Sequence, residues 1–272
     1  MADLEEILKA IHGSRVFDLG RELYAGMSQS PNHPPFRMVL QRRHGDIVRE
    51  DGGSAASEMI VTGGHVGTHI DALSHVSHLG KLHGGIDAAE AQTGGSFSVL
   101  GVETVEPMVC RGVLLDVPSA LGIPSCDPGY AITPEDLAAA GERASVSIRP
   151  GDAVLVRTGW GSLWESPEWY DGQKAGAPGV GEQAAEWLAE KRVRAAGADT
   201  IAFERIEPGK GHSHLPVHRI LLVEHGIHII ETLALDEIAK AGVFEFLFIL
   251  SPLKLVGATG SPVRPLAVAF GD

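Results

Sequence analysis

Metal-ligating side chains are concentrated in one short stretch of this 272-residue chain. His65, His69, Asp71 and His75 lie within the eleven residues His-Val-Gly-Thr-His-Ile-Asp-Ala-Leu-Ser-His. Imidazole and carboxylate groups are ligands that zinc and manganese accept in proteins. Two imidazoles and one carboxylate would leave a coordination position for water, whose pKa falls towards neutrality on a metal. The stretch therefore predicts a catalytic rather than a structural metal site.

The backbone must bend for these side chains to reach one ion. On a straight strand His65 and His69 would lie about 13 Å apart, too far for both to bind at about 2 Å. On a helix they would share a face, but the glycines in this stretch would each cost roughly 1 kcal/mol. We therefore predict a bend near Gly67-Thr68, with His65, His69 and Asp71 converging on one cation.

His75 follows four residues after Asp71 and has two interpretations. Its imidazole titrates near neutral pH, which suits a general acid or base. We predict that His75 is catalytic, and a further metal ligand is the alternative. His78 and His83, which follow in the chain, are expected to lie outside the site.

A second histidine-rich window lies nearer the end of the chain. It contains His212, His214, His218, His225 and His228, followed by Glu231. His218 lies near the start of a predicted helix, and Glu231 on the strand predicted after it. Such a unit brings its two ends together, so we expect His218 and Glu231 to complete the first metal position or to form a second. Spacing alone does not select among the other histidines.

The elements that must position these residues are mostly strands. Helices are predicted over residues 4–12, from Thr133 onward, and over 182–196 and 216–224. Strands are predicted over residues 15–19, 38–42, 58–62, 96–100, 112–117, 153–158, 200–203, 227–232, 244–250 and 266–270. A proline-rich loop is predicted over 26–36. This alternation predicts one α/β domain over residues 1–272 with a mixed, strand-rich sheet.

Composition and charge argue against several classes of partner and location. The formal net charge is −13, with no cluster of Lys and Arg to neutralise phosphates, so no nucleic acid is expected. The chain contains no run of eighteen apolar residues, so no membrane span is expected, and its acidic start lacks the features of a secretory signal. Cys110 and Cys126 are the only cysteines, which favours a reducing compartment. We therefore expect a cytoplasmic protein that acts on a small molecule.

Aromatic side chains offer a further candidate surface. Trp160 and Trp164 follow the strand predicted over 153–158, and Phe36 follows the Pro34-Pro35 bend. Such side chains can stack on an aromatic substrate. We predict Phe36, Trp160 and Trp164 as substrate-binding residues, with core packing or an oligomer contact as the alternative.

The first window resembles the motif of a known enzyme family. The pattern His-x-Gly-Thr-His-x-Asp-x-x-x-His over residues 65–75 is similar to that of the metal-dependent, cyclase-like hydrolases, a family that includes bacterial kynurenine formamidases and isatin hydrolases. Residues 216–222 and 229–233 resemble the family's later ligand segment, and residues 257–265 resemble its C-terminal motif. The resemblance covers nearly the whole chain.

The resemblance implies a fold, a ligand set and an assembly. The fold is a swivelling β/β/α domain, and the protein is expected to form a homodimer or a homotetramer. His65, His69 and Asp71 would hold one ion, and Asp71 would bridge to a second ion held by His218 and Glu231. The expected metal is Zn²⁺, with Mn²⁺ as the alternative and one or two ions per subunit.

The leading hypothesis is a hydrolase in which metal-activated water attacks the carbonyl of an aryl formamide or a cyclic amide. His75 would move the proton to the leaving nitrogen, a role that the resemblance also implies. Leu73 and Val76 stand where the family often has proline and phenylalanine, and we expect them to shape the substrate wall. The alternatives are a lactone hydrolase or polyketide-type cyclase that uses the same metal site, and a non-catalytic metal-binding protein.

Overall fold

A computed structural model describes residues 4–270 and leaves out the first three residues of the acidic start. The strands are β1 Arg15–Asp18, β2 Arg37–Arg42, β3 Ser57–Val61, β4 His69–Asp71, β5 Gln92–Thr93, β6 Ser96–Phe97, β7 Met108–Asp116, β8 Ala131–Ile132, β9 Ala153–Arg157, β10 Gly179–Val180, β11 Ala195–Ala198, β12 His228–Glu231, β13 Glu245–Leu250, β14 Gly260–Pro262 and β15 Leu266–Ala269. The α-helices are α1 Leu4–His12, α2 Ala88–Ala91, α3 Val117–Leu121, α4 Pro134–Ala144, α5 Pro167–Tyr170, α6 Glu182–Glu190, α7 Pro216–His218 and α8 Asp236–Lys240.

Nine of these strands form one mixed sheet in the order β1-β15-β13-β7-β9-β11-β12-β4-β14. The pairs that join β7, β9, β11 and β12 are parallel, and the remaining neighbours are antiparallel. The parallel strands need crossover connections, and α3, α4, α6 and α7 lie in them. The prediction of an α/β fold with a mixed, strand-rich sheet is confirmed.

Apolar side chains bury both faces of the central strands. Along β9, Val154 and Val156 belong to one hydrophobic cluster and Leu155 belongs to the cluster on the other face. Successive side chains of a strand point to opposite faces, so burial on both sides produces the continuous apolar run of this segment. The sheet is therefore a well-packed support for the polar residues that lie along β12 and β4.

Three of the segments that differ from their predicted bounds are clearly shortened or displaced. The helix predicted over 182–196 ends at Glu190, the strand predicted over 200–203 lies instead at Ala195–Ala198, and the strand predicted over 96–100 includes only its first two residues. The Ala-Ala-Gly-Ala segment favours helix by local propensity. It forms a strand that pairs with β9 and β12, in a position that admits only small side chains, since a Cβ added at Gly197 would lie 2.8 Å from Leu233. Tertiary packing overrides local preference at this position.

The helix predicted over 216–224 is confirmed, with an unexpected geometry. After α7 the chain continues as a π-helix over Arg219–His225, and Gly226, at φ +66°, ends it. A left-handed glycine is the common helix terminator. The π-helix is rare and often occurs at functional sites. Thr133 also caps α4 as predicted, since its side chain accepts a hydrogen bond from the Asp136 backbone.

The strands β2 and β3 form a hairpin separate from the main sheet. All residues of both strands are exposed, including the apolar side chains of Met38, Leu40, Met59 and Ile60. None of the helices within residues 4–270 is long and apolar enough to cross a lipid bilayer.

Candidate metal centre

The first histidine window bends where the sequence predicts. Gly67 has φ +69°, a conformation that side-chain-bearing residues rarely adopt. The turn also brings the chain close to β14, because a Cβ added at Gly64 would lie 2.7 Å from the backbone oxygen of Gly260. A Cβ on Gly260 would in turn lie 2.5 Å from the ring of His65. These glycines make room for the His65 imidazole beside the sheet.

Strand pairing brings the two halves of the site together. His69 and Asp71 are two residues apart on β4, so their side chains lie on one face. Glu231 on β12 is the register partner of His69. The Nε2 atom of His69 lies 3.2 Å from Oε2 of Glu231 and 3.6 Å from Oδ1 of Asp71. Two buried carboxylates therefore face one imidazole.

His218 enters from the helical side. It ends α7, and its Nε2 lies 3.5 Å from Oδ2 of Asp71 and 3.3 Å from Oε1 of Glu231. Its other ring nitrogen, Nδ1, lies 2.5 Å from Oε1 of Glu204. Glu204 also accepts the backbone N–H groups of Val217 and His218. The Glu204 carboxylate thus fixes both the start of α7 and the orientation of the His218 ring.

His65 and His75 form the other side of the cluster. The Nδ1 atom of His65 lies 2.8 Å from Oδ1 of Asp71, and its Nε2 lies 2.9 Å from Oγ1 of Thr259. The rings of His65 and His75 are stacked with centroids 3.9 Å apart. The centroids of His65 and His69 are 5.2 Å apart. The side chains converge, but His65 lies closer to His75 than to His69, its expected partner on one ion.

The donor set fits a divalent cation. Oδ2 of Asp71 is buried and has no hydrogen-bond partner within residues 4–270. Within this cluster, two groups of side chains place their donor atoms within 4.8 Å of one another, His65–Asp71–His75 and His69–Asp71–Glu231. A buried carboxylate needs a compensating charge or donors. Because Asp71 belongs to both groups, the residues fit one ion, or two ions that share Asp71.

The imidazoles of the cluster lower the pKa of its two carboxylates. Burial would raise the pKa of Asp71, but the neighbouring imidazoles of His75, His218 and His65 hold that pKa well below its usual value. Burial would likewise raise the pKa of Glu231, and hydrogen bonds from His218 and His69 lower it instead. Both carboxylates are thus in the anionic form that binds a cation.

A cavity of about 240 Å³ borders these residues. It is lined by Ser28, Gln29, Ser30, Asn32, His33, His65, Gly67, His69, His75, Val76, Ile201, Ala202, His212, Leu215, His218, Glu231 and Thr232. The imidazoles and one carboxylate lie on its wall, beside apolar side chains. The cavity is suited to a small molecule placed against the donor cluster.

The aromatic residues predicted to bind substrate lie elsewhere. Phe36, Trp160 and Trp164 are buried in a hydrophobic cluster and are absent from the cavity lining. The ring of Trp164 packs edge-on against Tyr170, and Trp160 donates a hydrogen bond to the Tyr170 backbone. Met27 belongs to the same cluster, and Ser28 donates a hydrogen bond to the backbone oxygen of Trp164. The structure therefore gives the three predicted residues a packing position.

Most remaining histidines of the two windows lie outside the site. His83 bonds the backbone of Val223, His228 bonds the backbone oxygen of Asp71, and His225 bonds Glu186 at the surface. His78 and His214 are exposed. Val76 lines the cavity as expected for a substrate wall, whereas Leu73 packs against the core.

Two functional candidates were missed by sequence reasoning. Glu204 is buried against His218, but it precedes the second window and carries no motif. His33 lines the cavity and stacks on His65 at 5.1 Å, although it lies in the proline-rich loop, where no spacing rule applies. Burial lowers the pKa of His33 to about 4. Only the folded chain brings these residues to the site.

Comparisons with known proteins agree with this geometry. The family model described as putative cyclase matches residues 17–205. Isatin hydrolase from Roseibium aggregatum is 26% identical over 223 residues, which cover 80% of this chain and 76% of that protein. Kynurenine formamidase from Bacillus cereus is 26% identical over 254 residues, which cover 92% of this chain and 96% of that protein.

The fold itself matches a solved structure. The crystal structure of a novel cyclase superposes with a TM-score of 0.83 at 29% identity, covering 98% of this chain and 93% of that chain. A similarity of this extent includes the mixed sheet and both histidine windows. The predicted fold class is therefore confirmed over the whole described chain.

Proposed function

This chain belongs to the putative cyclase family, as its motifs predict, and from that premise we propose that it is a metal-dependent hydrolase of small molecules. The bond cleaved is an amide-type carbon–nitrogen bond in an aryl formamide or a cyclic amide. Similarity to isatin hydrolase and kynurenine formamidase over most of the chain supports this assignment. The observation that carries it is the buried cluster of imidazoles and carboxylates on the wall of a small cavity.

The proposed ligands are His65, His69, Asp71, His218 and Glu231. The unpaired Oδ2 of Asp71 and the short distances among these donors support the set. The resemblance groups His65 and His69 on one ion. In the structure, Glu231 lies beside His69. When bound, a divalent cation would supply Lewis acidity and a nucleophilic water at neutral pH. We propose Zn²⁺, with Mn²⁺ as the alternative and one or two ions per subunit.

His75 is the proposed acid–base residue. It lines the cavity, where its ring can face a bound substrate, and it also lies in one donor group with His65 and Asp71. Burial lowers the pKa of His75 to about 3, so the ring is neutral at pH 7 and a weaker base than an ordinary imidazole; in the proposed role it accepts a proton as water attacks. It would then return that proton to the leaving nitrogen.

Chelation and reconstitution test the proposed function. Treatment with a chelator should abolish hydrolysis of an aryl formamide or of isatin, and added Zn²⁺ or Mn²⁺ should restore it. A panel that includes lactones separates the amide hydrolase from the lactone hydrolase or cyclase. Failure of the metal-loaded protein on every amide and lactone would favour a non-catalytic metal-binding protein and would contradict the proposal.

A substitution separates the two interpretations of His75. His75→Gln should retain the full metal content and lose about a hundredfold or more in kcat, in line with the contribution of a general acid or base. The measurements are elemental analysis and steady-state kinetics on the same preparation. Loss of metal in this variant would identify His75 as a ligand, and full activity would refute its catalytic role.

We further propose a homodimer or a homotetramer. The exposed apolar residues of the β2–β3 hairpin support this assembly, because an apolar surface of this kind usually marks a contact with another chain. Sedimentation of the wild type and of a Met38→Glu, Ile60→Glu double variant tests it, with a shift to monomer expected. A monomeric wild type would contradict the proposal.

The proposed location is the cytoplasm, consistent with the two unpaired thiols of Cys110 and Cys126.

A further inference from the structure

A second pocket, of about 500 Å³, lies at the other end of the parallel strands from the metal centre. Glu231, the last residue of β12, lines the cavity of the metal centre, whereas His228, the first residue of that strand, lines this pocket. Met108, which begins β7, and Arg194, which precedes β11, lie there too. No residue lines both spaces, so the pocket is separate from the proposed active site.

Two arginines give this pocket a positive wall. Arg192 makes no side-chain hydrogen bond or ion pair within residues 4–270. Arg194 uses only Nη2, which donates to the backbone oxygens of Glu106 and Pro107 and lies 3.9 Å from the exposed carboxylate of Glu106. Its Nε and Nη1 atoms are free among the described residues. In a chain of net charge −13, guanidinium groups without a close carboxylate are available to bind an anion.

The backbone at Arg192 is strained. Its φ is +58°, in the left-handed region that favours glycine. Arg192 follows the end of α6, and its N–H donates to the backbone oxygen of Ala189, at a position where many helices have glycine. A glycine would relieve the strain but would remove the guanidinium from the pocket. Strain of this kind often occurs at functional sites, so it supports a role for the side chain.

His228 presents a hydrogen-bond acceptor beside these arginines. Its Nδ1 lies 2.9 Å from the backbone oxygen of Asp71, which can only accept, so Nδ1 carries the proton. Burial lowers the pKa of His228, and the charge of Arg194 also lowers it, so the ring is neutral. Its Nε2 then has a lone pair and makes no hydrogen bond within residues 4–270. This nitrogen needs a donor from the occupant of the pocket.

We propose that this pocket binds hydrogen phosphate, a small oxyanion that still carries a proton. Its oxygens would accept hydrogen bonds from Arg192 and Arg194, and its hydroxyl would donate to Nε2 of His228. Sulfate has the same charge and nearly the same shape but no proton, so one of its oxygens would meet the lone pair of Nε2. The pocket therefore distinguishes two anions that charge alone does not distinguish.

Nitrogen NMR of the Zn²⁺-loaded wild type tests this inference, because Nε2 of His228 reports on the pocket directly. The free protein should show His228 protonated at Nδ1 alone. Inorganic phosphate at mildly alkaline pH should shift the Nε2 resonance in a saturable titration. Sulfate at the same ionic strength should bind at least about tenfold more weakly, the effect of losing one hydrogen bond to a charged group.

Two arginine variants test the positive wall. Arg192→Gln should weaken phosphate binding at His228 about tenfold, because it removes one charged donor. Arg42→Gln, which changes an exposed arginine of β2, should leave the affinity unchanged. A Nε2 resonance that does not respond to phosphate, equal affinity for phosphate and sulfate, or wild-type affinity in Arg192→Gln would overturn the inference.

Discussion

The two histidine-rich windows reach one site by different routes. In the first, a single bend at Gly67 and the two-residue repeat of β4 bring His65, His69 and Asp71 together within a few residues. In the second, a π-helix and the pairing of β12 with β4 are needed to bring His218 and Glu231 to the same place. The first window is organised by local backbone geometry, and the second by packing.

The two windows therefore depend on different kinds of support from residues outside them. The first window needs open space, which Gly64 and Gly260 provide. The second needs a carboxylate from another segment, because Glu204 holds both the ring of His218 and the start of α7. Substitutions that separate backbone geometry from side-chain support should therefore affect the windows differently.

The largest expected effect belongs to Asp71, the residue of the first window that also contacts His218 of the second. Asp71→Asn should lower metal affinity by at least about a hundredfold, the upper end of what loss of an outer-sphere partner costs, and should abolish activity. Elemental analysis after dialysis and an amide hydrolysis assay measure both. Asp127→Asn, an exposed aspartate, is the matched control. Full metal retention in Asp71→Asn would show that the windows do not share an ion.

The second-largest expected effect concerns the glutamates that pair with histidines of the second window. Glu204→Gln should weaken metal binding about 10- to 100-fold, because the amide no longer holds the His218 ring as a charged acceptor does. Calorimetric titration with Zn²⁺ measures the change. Glu186→Gln removes the partner of the surface residue His225 and should leave affinity unchanged. Equal effects of the two substitutions would contradict the separate role of Glu204.

The smallest effect tests the bend of the first window. Gly67→Ala should lower the free energy of unfolding by about 1–2 kcal/mol, the cost of a left-handed conformation for an L-residue. The added Cβ would also lie 2.3 Å from Leu23, whose side chain must shift. Urea denaturation measures the loss, with Gly13→Ala as a control because its Cβ would meet nothing within 4 Å. An unchanged stability would mean that the bend is not strained.

The sequence predicted the first window better than the second for a physical reason. Ligand spacing and glycine conformation are local properties, so the bend and the convergence of His65, His69 and Asp71 could be anticipated from eleven residues. The pairing of β4 with β12 joins segments that are far apart in the chain, so it cannot be deduced from local sequence. The contact of His69 with Glu231 follows from the register of this pairing. Glu204 and His33 reach the site only through the fold.

The same limit explains the aromatic residues and the short alanine strand. Phe36, Trp160 and Trp164 are aromatic side chains of the kind found at binding surfaces, yet they are buried in one hydrophobic cluster with Tyr170. Ala195–Ala198 has helix-forming composition and lies as a strand between two others. Packing partners that are distant in the chain decide both outcomes, Ile201 and Ile206 in the aromatic cluster and Leu233 beside the alanine strand, and local pattern carries no information about them.

The central claim is that residues of both windows bind metal at one centre that includes Asp71, whether the centre holds one ion or two. Anomalous diffraction from crystals grown with Zn²⁺ or Mn²⁺ tests this directly, because it locates the ion without reference to activity. The account predicts a strong anomalous peak next to the Asp71 carboxylate, with ligands drawn from both windows. A metal centre to which only one window contributes ligands, or no peak at Asp71 in crystals of protein that retains the metal, would contradict it.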